Sequence, residues 1–203
     1  MVSDGRLLVG VTGGIGSGKS YFCRILESMG FPVFDTDTAA RREMLENEGL
    51  RRRLRKLVSP EIFKDNGSLN KPVIRKFLHT SEQNAARFDA VVHPCVREAW
   101  RRWAESRESH LVFMECALLY EAHFDNEVDF SVLVSAPEEV RVERVMERDG
   151  IPAHMVRKWM AMQLAEDEKA RRADFVVHND GETDMREEAR RLVALLTAAA
   201  KNE

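Results

Sequence analysis

The chain has 203 residues, 44% of them hydrophobic and 32% charged, with 31 Lys and Arg against 34 Asp and Glu for a net charge of −3. That length suits one globular unit with room for a small extra lobe, and the near balance of charge excludes a global field that would draw nucleic acid or an anionic membrane, so anion recognition has to be local. Three cysteines, Cys23, Cys95 and Cys116, share no CxxC or CxxH spacing, which argues against a disulfide framework or zinc site and fits a reducing cytoplasm; neither a leader pattern nor a bilayer-spanning run of about 20 apolar residues is expected.

In chain order, Leu7-Leu8-Val9-Gly10-Val11 reads as a strand buried on both faces. It runs into Gly13-Gly14-Ile15-Gly16-Ser17-Gly18-Lys19-Ser20, the GxxxxGK[ST] spacing of a phosphate-binding loop. Glycines let successive amides turn inward, and the helix starting near Lys19 adds its partial positive charge, so polyphosphate is held largely by main chain. In such a loop Lys19 reaches the β and γ phosphates and the Ser20 hydroxyl takes a place on Mg²⁺. Phe22, Ile25, Leu26 and Met29 follow at helical spacing, and Gly30 stops the helix. A second strand at Pro32-Val33-Phe34 leads into Asp35-Thr36-Asp37. One of these carboxylates either meets an acceptor hydroxyl or caps the helix beginning around Thr38. Spacing does not choose between the two aspartates, because residues two apart share a strand face.

Residues 38 to 109 hold no convincing strand and break at Pro60, Asn66-Gly67, Pro72 and Pro94, which predicts a helical lobe inserted between the second and third strands. Its run Arg51-Arg52-Arg53, Arg55, Lys56 reads as a solvated face or as a grip on an acidic substrate; His93-Pro94, Trp100 and Trp103 read as fold elements. A third strand, Leu111 to Met114, closes on Glu115, a carboxylate for a metal-bound water, a cap or an ion pair. After a fourth strand, Phe130 to Val134, Ser135-Ala136-Pro137-Glu138 has capping-box spacing with Ser135 as cap, opening a helix that ends near Gly150. On it Arg141, Arg144 and Arg148 share a face, either gripping transferring phosphates or pairing in solvent with Glu138, Glu139, Glu143 and Glu147. A helix over 154–171, a fifth strand at Phe175 to Val177 and a second box at Asp184 and Glu187 complete the pattern, with Leu192, Val193, Leu195 and Leu196 packing the last helix on the sheet. Strands alternating with helices predict an α/β, three-layer fold around a five-stranded parallel sheet, with ligands at the strands' C-terminal ends.

Taken together, these blocks resemble the dephospho-CoA kinase family, P-loop kinases of the last step of coenzyme A biosynthesis. The match runs almost end to end: TGGIGSGKS at Thr12 to Ser20, D-x-D-x-x-AR at Asp35 to Arg41, HP at His93-Pro94, PLLFE as Ala117-Leu118-Leu119-Tyr120-Glu121, R-x-x-R-x-x-x-RDG at Arg141 to Gly150, and RADYVIDN-G at Arg172 to Gly181. The resemblance implies transfer of the ATP γ-phosphoryl group to the ribose 3′-hydroxyl of dephospho-CoA, with Mg²⁺, in a cytoplasmic monomer or weak homo-oligomer that binds neither nucleic acid nor membrane. It implies a P-loop kinase core in three parts (1–37, 110–136, 166–203), a helical CoA lobe (38–109) and a lid (137–165). Carried over by position, Asp37 is the base, with Lys19, Arg144 and Arg148 in catalysis. Gly14, Ile15, Gly16, Ser17, Gly18, Lys19, Ser20, Tyr21 and Asn179 surround ATP, and Ser20 and Glu115 the metal. Thr12, Asp37, Arg75, Leu118, Tyr120, Glu121 and Gln163 surround the acceptor. Tyr21, where the family usually has Thr, and Ala117, where it usually has Pro, are departures. The competing readings are a P-loop kinase for another small acceptor such as a nucleotide, and a nucleotide-gated binding protein that transfers nothing.

Overall fold

The computed structural model describes residues 6–199. β1 (Leu7–Thr12) is buried at all six residues, as a strand covered on both faces of a sheet must be. β2 (Val33–Asp35), β3 (Leu111–Glu115), β4 (Phe130–Ser135) and β5 (Phe175–His178) join it in a parallel sheet of order β2-β3-β1-β4-β5. Val9 of β1 stands opposite Phe113 on β3 and Phe130 on β4. The five apolar runs of the sequence are these five strands, and the α/β class follows from them.

α1 (Lys19–Ser28) and α9 (Met185–Ala199) share one buried cluster with the sheet: Phe22, Ile25 and Leu26 from α1 and Ala189, Leu192 and Leu196 from α9 meet Val9, Val11, Phe113 and Val134. Phe22 is fully shielded, and truncating such a side chain to Ala costs about 3–5 kcal/mol. Asp184 caps α9 as expected, accepting from Arg186 N at 2.8 Å and Glu187 N at 3.2 Å. Leu195 departs from expectation and is nearly half exposed, because it falls outside the stripe formed at 100° per residue by positions 185, 189, 192 and 196.

Two other helix expectations are corrected. α6 (Glu138–Asp149) does not use Ser135 as its cap; that residue is the last of β4, its carbonyl accepts Asn179 N at 2.7 Å, and Pro137 holds the cap position without a side-chain bond. The helix expected over 154–171 is two, α7 (Ala153–Met160) and α8 (Glu166–Arg172). The break at 161–165 arises because Leu164 N donates to the Glu121 carboxylate instead of extending the helical ladder, and Ala165 takes ψ 142°.

Asp35–Glu105 forms one compact unit and the chain before and after it the other. In the former, α2 (Thr36–Glu46), α3 (Glu48–Leu57), α4 (Lys71–Thr80) and α5 (Glu82–Glu105) are joined by a 3-10 turn at Pro60–Ile62 and one isolated bridge, Phe63 with Leu69. Leu50, Leu54, Ile62, Val92 and Val96 are buried, as is Trp100, which stacks on Trp103 at 5.9 Å. The basic run on α3 is only partly a solvated face. Arg51 donates to Leu45 O at 2.7 Å and lies 4.2 Å over the Phe63 ring, which Arg55 also covers, while Arg53 reaches Cys95 Sγ at 3.1 Å. Among the described residues, no helix is long and apolar enough to cross a membrane.

Candidate active site

The turn between β1 and α1 is built around glycines that no other residue could replace. Gly16 has φ +80°, and a Cβ there would lie 2.4 Å from Arg141 O, a backbone atom that cannot swing away. Gly18 has φ +90° and would drive a Cβ to 2.0 Å from Asn179 Nδ2. Both conformations are strained for L side chains. The loop is braced from behind: Ser17 N donates to Gly14 O at 3.0 Å, and buried Asn179, just after β5, donates Nδ2 to Ser17 O at 2.8 Å. Arg144 in turn grips Asn179, with Nη1 3.1 Å from its carbonyl and Nη2 3.4 Å from Oδ1.

Glu115 ends β3 in register with Val11, one residue before β1 ends. Its Oε1 accepts from Lys19 Nζ and, at 2.6 Å, from Ser20 Oγ, and the Lys19 and Glu115 side chains are 12% and 13% exposed. The parallel pairing therefore sets one carboxylate against the loop's cation and hydroxyl. A carboxylate beside a hydroxyl fits Mg²⁺, which takes oxygen ligands and is usually bound through one or two carboxylates plus substrate phosphates and water. Among the described residues no group of three or more His, Cys, Asp or Glu side chains could hold a metal ion. Burial, then the Glu115 charge, push the neighbouring Cys23 thiol well above its ordinary value, which keeps it neutral.

The segment after β4 folds back over the loop. Arg141 and Glu166, both largely buried, pair at 3.2 Å beside Gly14, in the wall of a cavity of about 510 Å³ also lined by Arg157 and Gln163. Gln163 Oε1 accepts the Ile15 amide of the loop at 2.8 Å. Next to it, Leu164 N donates at 2.9 Å to Glu121, which is paired at 3.0 Å with fully buried Lys169. Thr12 Oγ1 reaches Ala117 O at 3.3 Å. Tyr120 is buried, with its phenol raised by burial first, and Arg172 sits 5.8 Å from its ring centroid.

Thr12, the loop, Glu115, Glu121, Arg144, Gln163 and Asn179 thus come together in the unit that contains the sheet, whereas the Tyr120 ring faces Arg172, with Ser131 and Asp174 at the N-terminal ends of β4 and β5. Leu118 and Tyr21 are exposed there at 39% and 50%. Arg148 points to solvent and holds Asp149 through two bonds of 2.8 and 2.7 Å, which keep that carboxyl below its ordinary value. Asp37 and Arg75 lie in the other unit, in the first turn of α2 and on α4. The structure separates the two aspartates that spacing left equivalent: the strand ends at Asp35, whose carboxylate caps α2 by accepting Asp37 N at 2.9 Å, Thr38 N at 3.3 Å and Thr38 Oγ1 at 2.6 Å. Sequence reasoning missed Lys169 and Glu166. Both sit in the run Glu166-Asp167-Glu168-Lys169-Ala170-Arg171-Arg172, which carries no local sign of which charges face inward.

A family model described as dephospho-CoA kinase matches residues 7–185. The dephospho-CoA kinase of Bacteroides fragilis (strain YCH46) is 38% identical over 93% of this chain and 92% of its own, and that of Chlorobium luteolum is 34% identical over 98% and 95%. The crystal structure of TT1252 from Thermus thermophilus superposes with TM-score 0.82 at 35% identity, covering 95% of this chain and 97% of that one. Dephospho-CoA kinase from Campylobacter jejuni shares the fold at TM-score 0.68 and 21% identity, over 95% and 98%. A loop of positive-φ glycines braced by Asn179, a carboxylate shared by its lysine and serine, and a family match from β1 into the start of α9 agree: the chain belongs to the dephospho-CoA kinase family.

Proposed function

We propose that this chain transfers the γ-phosphoryl group of ATP to the ribose 3′-hydroxyl of dephospho-CoA, giving coenzyme A and ADP. The observation that carries the reading is the near full-length family match, which spans the blocks around Asp37, Glu121 and Asn179 as well as the generic loop. Phosphoryl transfer asks little covalent chemistry of a protein and much positioning and charge stabilisation. Lys19 and the loop amides among residues 14 to 20, apart from Ile15 N and Ser17 N, which bond Gln163 and Gly14, hold the β and γ phosphates, with Asn179 toward the adenine. Mg²⁺, bound between Ser20, Glu115 and the phosphates, would neutralise charge that develops on the transferring group. Asp37 orients the acceptor hydroxyl and takes its proton, a role supported by the commitment of Asp35 to capping α2. Arg144 and Arg148 act from a lid over 137–165. Arg75, with residues 38–109, and Thr12, Leu118, Tyr120, Glu121 and Gln163 are the residues proposed to bind the acceptor. The protein works as a monomer or weak homo-oligomer.

Incubation of the full chain with Mg-ATP and dephospho-CoA, followed by phosphorus NMR, tests this directly. The expected product carries a new 3′-phosphomonoester with one ADP released per phosphate. No ADP would favour a nucleotide-binding protein, and phosphate on another acceptor would favour a different kinase.

A further inference from the structure

Lys169 is the one charge of its run that is wholly enclosed: its side chain is 0% exposed, against 30% for Glu168 and 68% for Arg171. Burying an ammonium is unfavourable unless it is paired and hydrogen-bonded, so its partners indicate what the burial achieves. Nζ lies 3.0 Å from Glu121 Oε1 and 3.1 Å from Ala117 O, both in the segment that follows β3. The same Glu121 oxygen accepts Leu164 N at 2.9 Å, and the residue before Leu164 places its carboxamide oxygen 2.8 Å from Ile15 N in the phosphate loop. The other carboxylate oxygen, Glu121 Oε2, is buried with no hydrogen-bond partner, which leaves the ion pair and one amide to hold the side chain in place.

We propose that Lys169 is a positioning residue for phosphoryl transfer, acting through Glu121 on the turn at 161–165 and through Gln163 on the Ile15 amide of the phosphate loop. The proposal rests on the kinase reading above. Without the lysine, Glu121 is a buried carboxylate facing a single backbone donor, so it turns toward water and releases Leu164. Gln163 then leaves Ile15, and the loop loses the contact that fixes this amide from the lid side. Misplacement of reacting groups on the ångström scale is enough to change rates by large factors. Ala117 O, which also accepts Thr12 Oγ1, ties the lysine to the end of β1 as well.

A double-mutant cycle separates this relay from a pair that only stabilises the fold. The full chain is prepared as wild type, Lys169→Met, Gln163→Ala and the double variant; Mg-ATP affinity is measured by calorimetry, and kcat and KM for ATP with dephospho-CoA. Each single variant is expected to lose about tenfold in Mg-ATP affinity or in kcat, and the double variant to be no worse than Gln163→Ala within about twofold. Additive losses, or unchanged nucleotide binding and kcat in Lys169→Met, overturn the proposal. If Lys169→Met does not fold by circular dichroism, the paired change Lys169→Met with Glu121→Leu, which removes both charges together and with them the acceptor of Leu164 N, replaces it in the same cycle with the same outcomes. A wild type that binds Mg-ATP but makes no coenzyme A would sink the kinase reading and leave the binding cycle to test the relay.

Discussion

Ser20 and Glu115, 95 positions apart, meet at 2.6 Å, and the carboxylate oxygen that joins them is the one that holds Lys19. A hydroxyl, an ammonium and a carboxylate thus converge where β1 and β3 end side by side. Lys19→Ala should cost on the order of 3 kcal/mol of transition-state stabilisation, by analogy with loss of one preorganised electrostatic group. Steady-state kcat/KM with saturating dephospho-CoA checks it, and near wild-type values would mean the loop does not hold the transferring phosphate.

Glu115→Gln keeps the shape and removes the charge. Its expected signature is a higher Mg²⁺ concentration for half-maximal rate, with the ATP dependence at saturating metal less affected. Titration of Mg²⁺ at fixed ATP distinguishes this from a purely structural pair, for which the metal midpoint would stay put.

Asp35 and Asp37 should separate cleanly when each is replaced by Ala. Loss of the Asp35 cap is expected to lower stability by about 1 kcal/mol, read as a lower melting temperature. In its proposed role on the acceptor side, Asp37→Ala is expected to reduce kcat with little change in Mg-ATP affinity. Unchanged turnover in Asp37→Ala would remove its assigned role.

Arg144 and Arg148 differ in what surrounds them. Arg144 braces Asn179, which braces the loop through Ser17 O, so Arg144→Ala should weaken nucleotide binding as well as slow turnover. Arg148 is exposed and pairs with its neighbour Asp149; its removal should shift stability by no more than about 0.5 kcal/mol while lowering kcat more than it raises KM. The reverse kinetic pattern would recast Arg148 as a uniform binding contact.

His93 on α5 supplies a pH signature. Burial holds its imidazole below the ordinary value of 6.5, with Asp89 3.6 Å away opposing and Arg97 adding to the shift. The folded state therefore binds fewer protons here than the unfolded chain does. The contribution is complete above the ordinary value and is lost as pH falls through the lower, folded one. Chemical denaturation from pH 7.5 downward should show this decline below about pH 6.5, and His93→Gln should flatten it.

Local chemistry was legible wherever a few adjacent residues decide the outcome. Continuous apolar runs became the five strands, Gly16 and Gly18 occupy the positive φ that only glycine adopts easily, and Asp184 caps α9. Two expectations failed for non-local reasons. Ser135 is held in the β4–β5 ladder by Asn179 N and so cannot cap α6, and the helix expected over 154–171 breaks where Leu164 N finds Glu121. Neither partner is visible in a window of a helix's length.

By itself the sequence determined a phosphate-binding loop between a buried strand and a helix, the α/β order around it, and a family resemblance distributed along the chain. Spacing alone settles these, since backbone conformation and amphipathic faces depend on neighbours a few positions away. Only the tertiary structure decided which charges face inward. Lys19 with Glu115 spans 96 positions, Ile15 with Gln163 spans 148, and Lys169 with Ala117 spans 52. A charged run looks alike whether it meets water or a buried carboxylate, and the free energy that distinguishes the two cases arises from desolvation and pairing once the chain has folded.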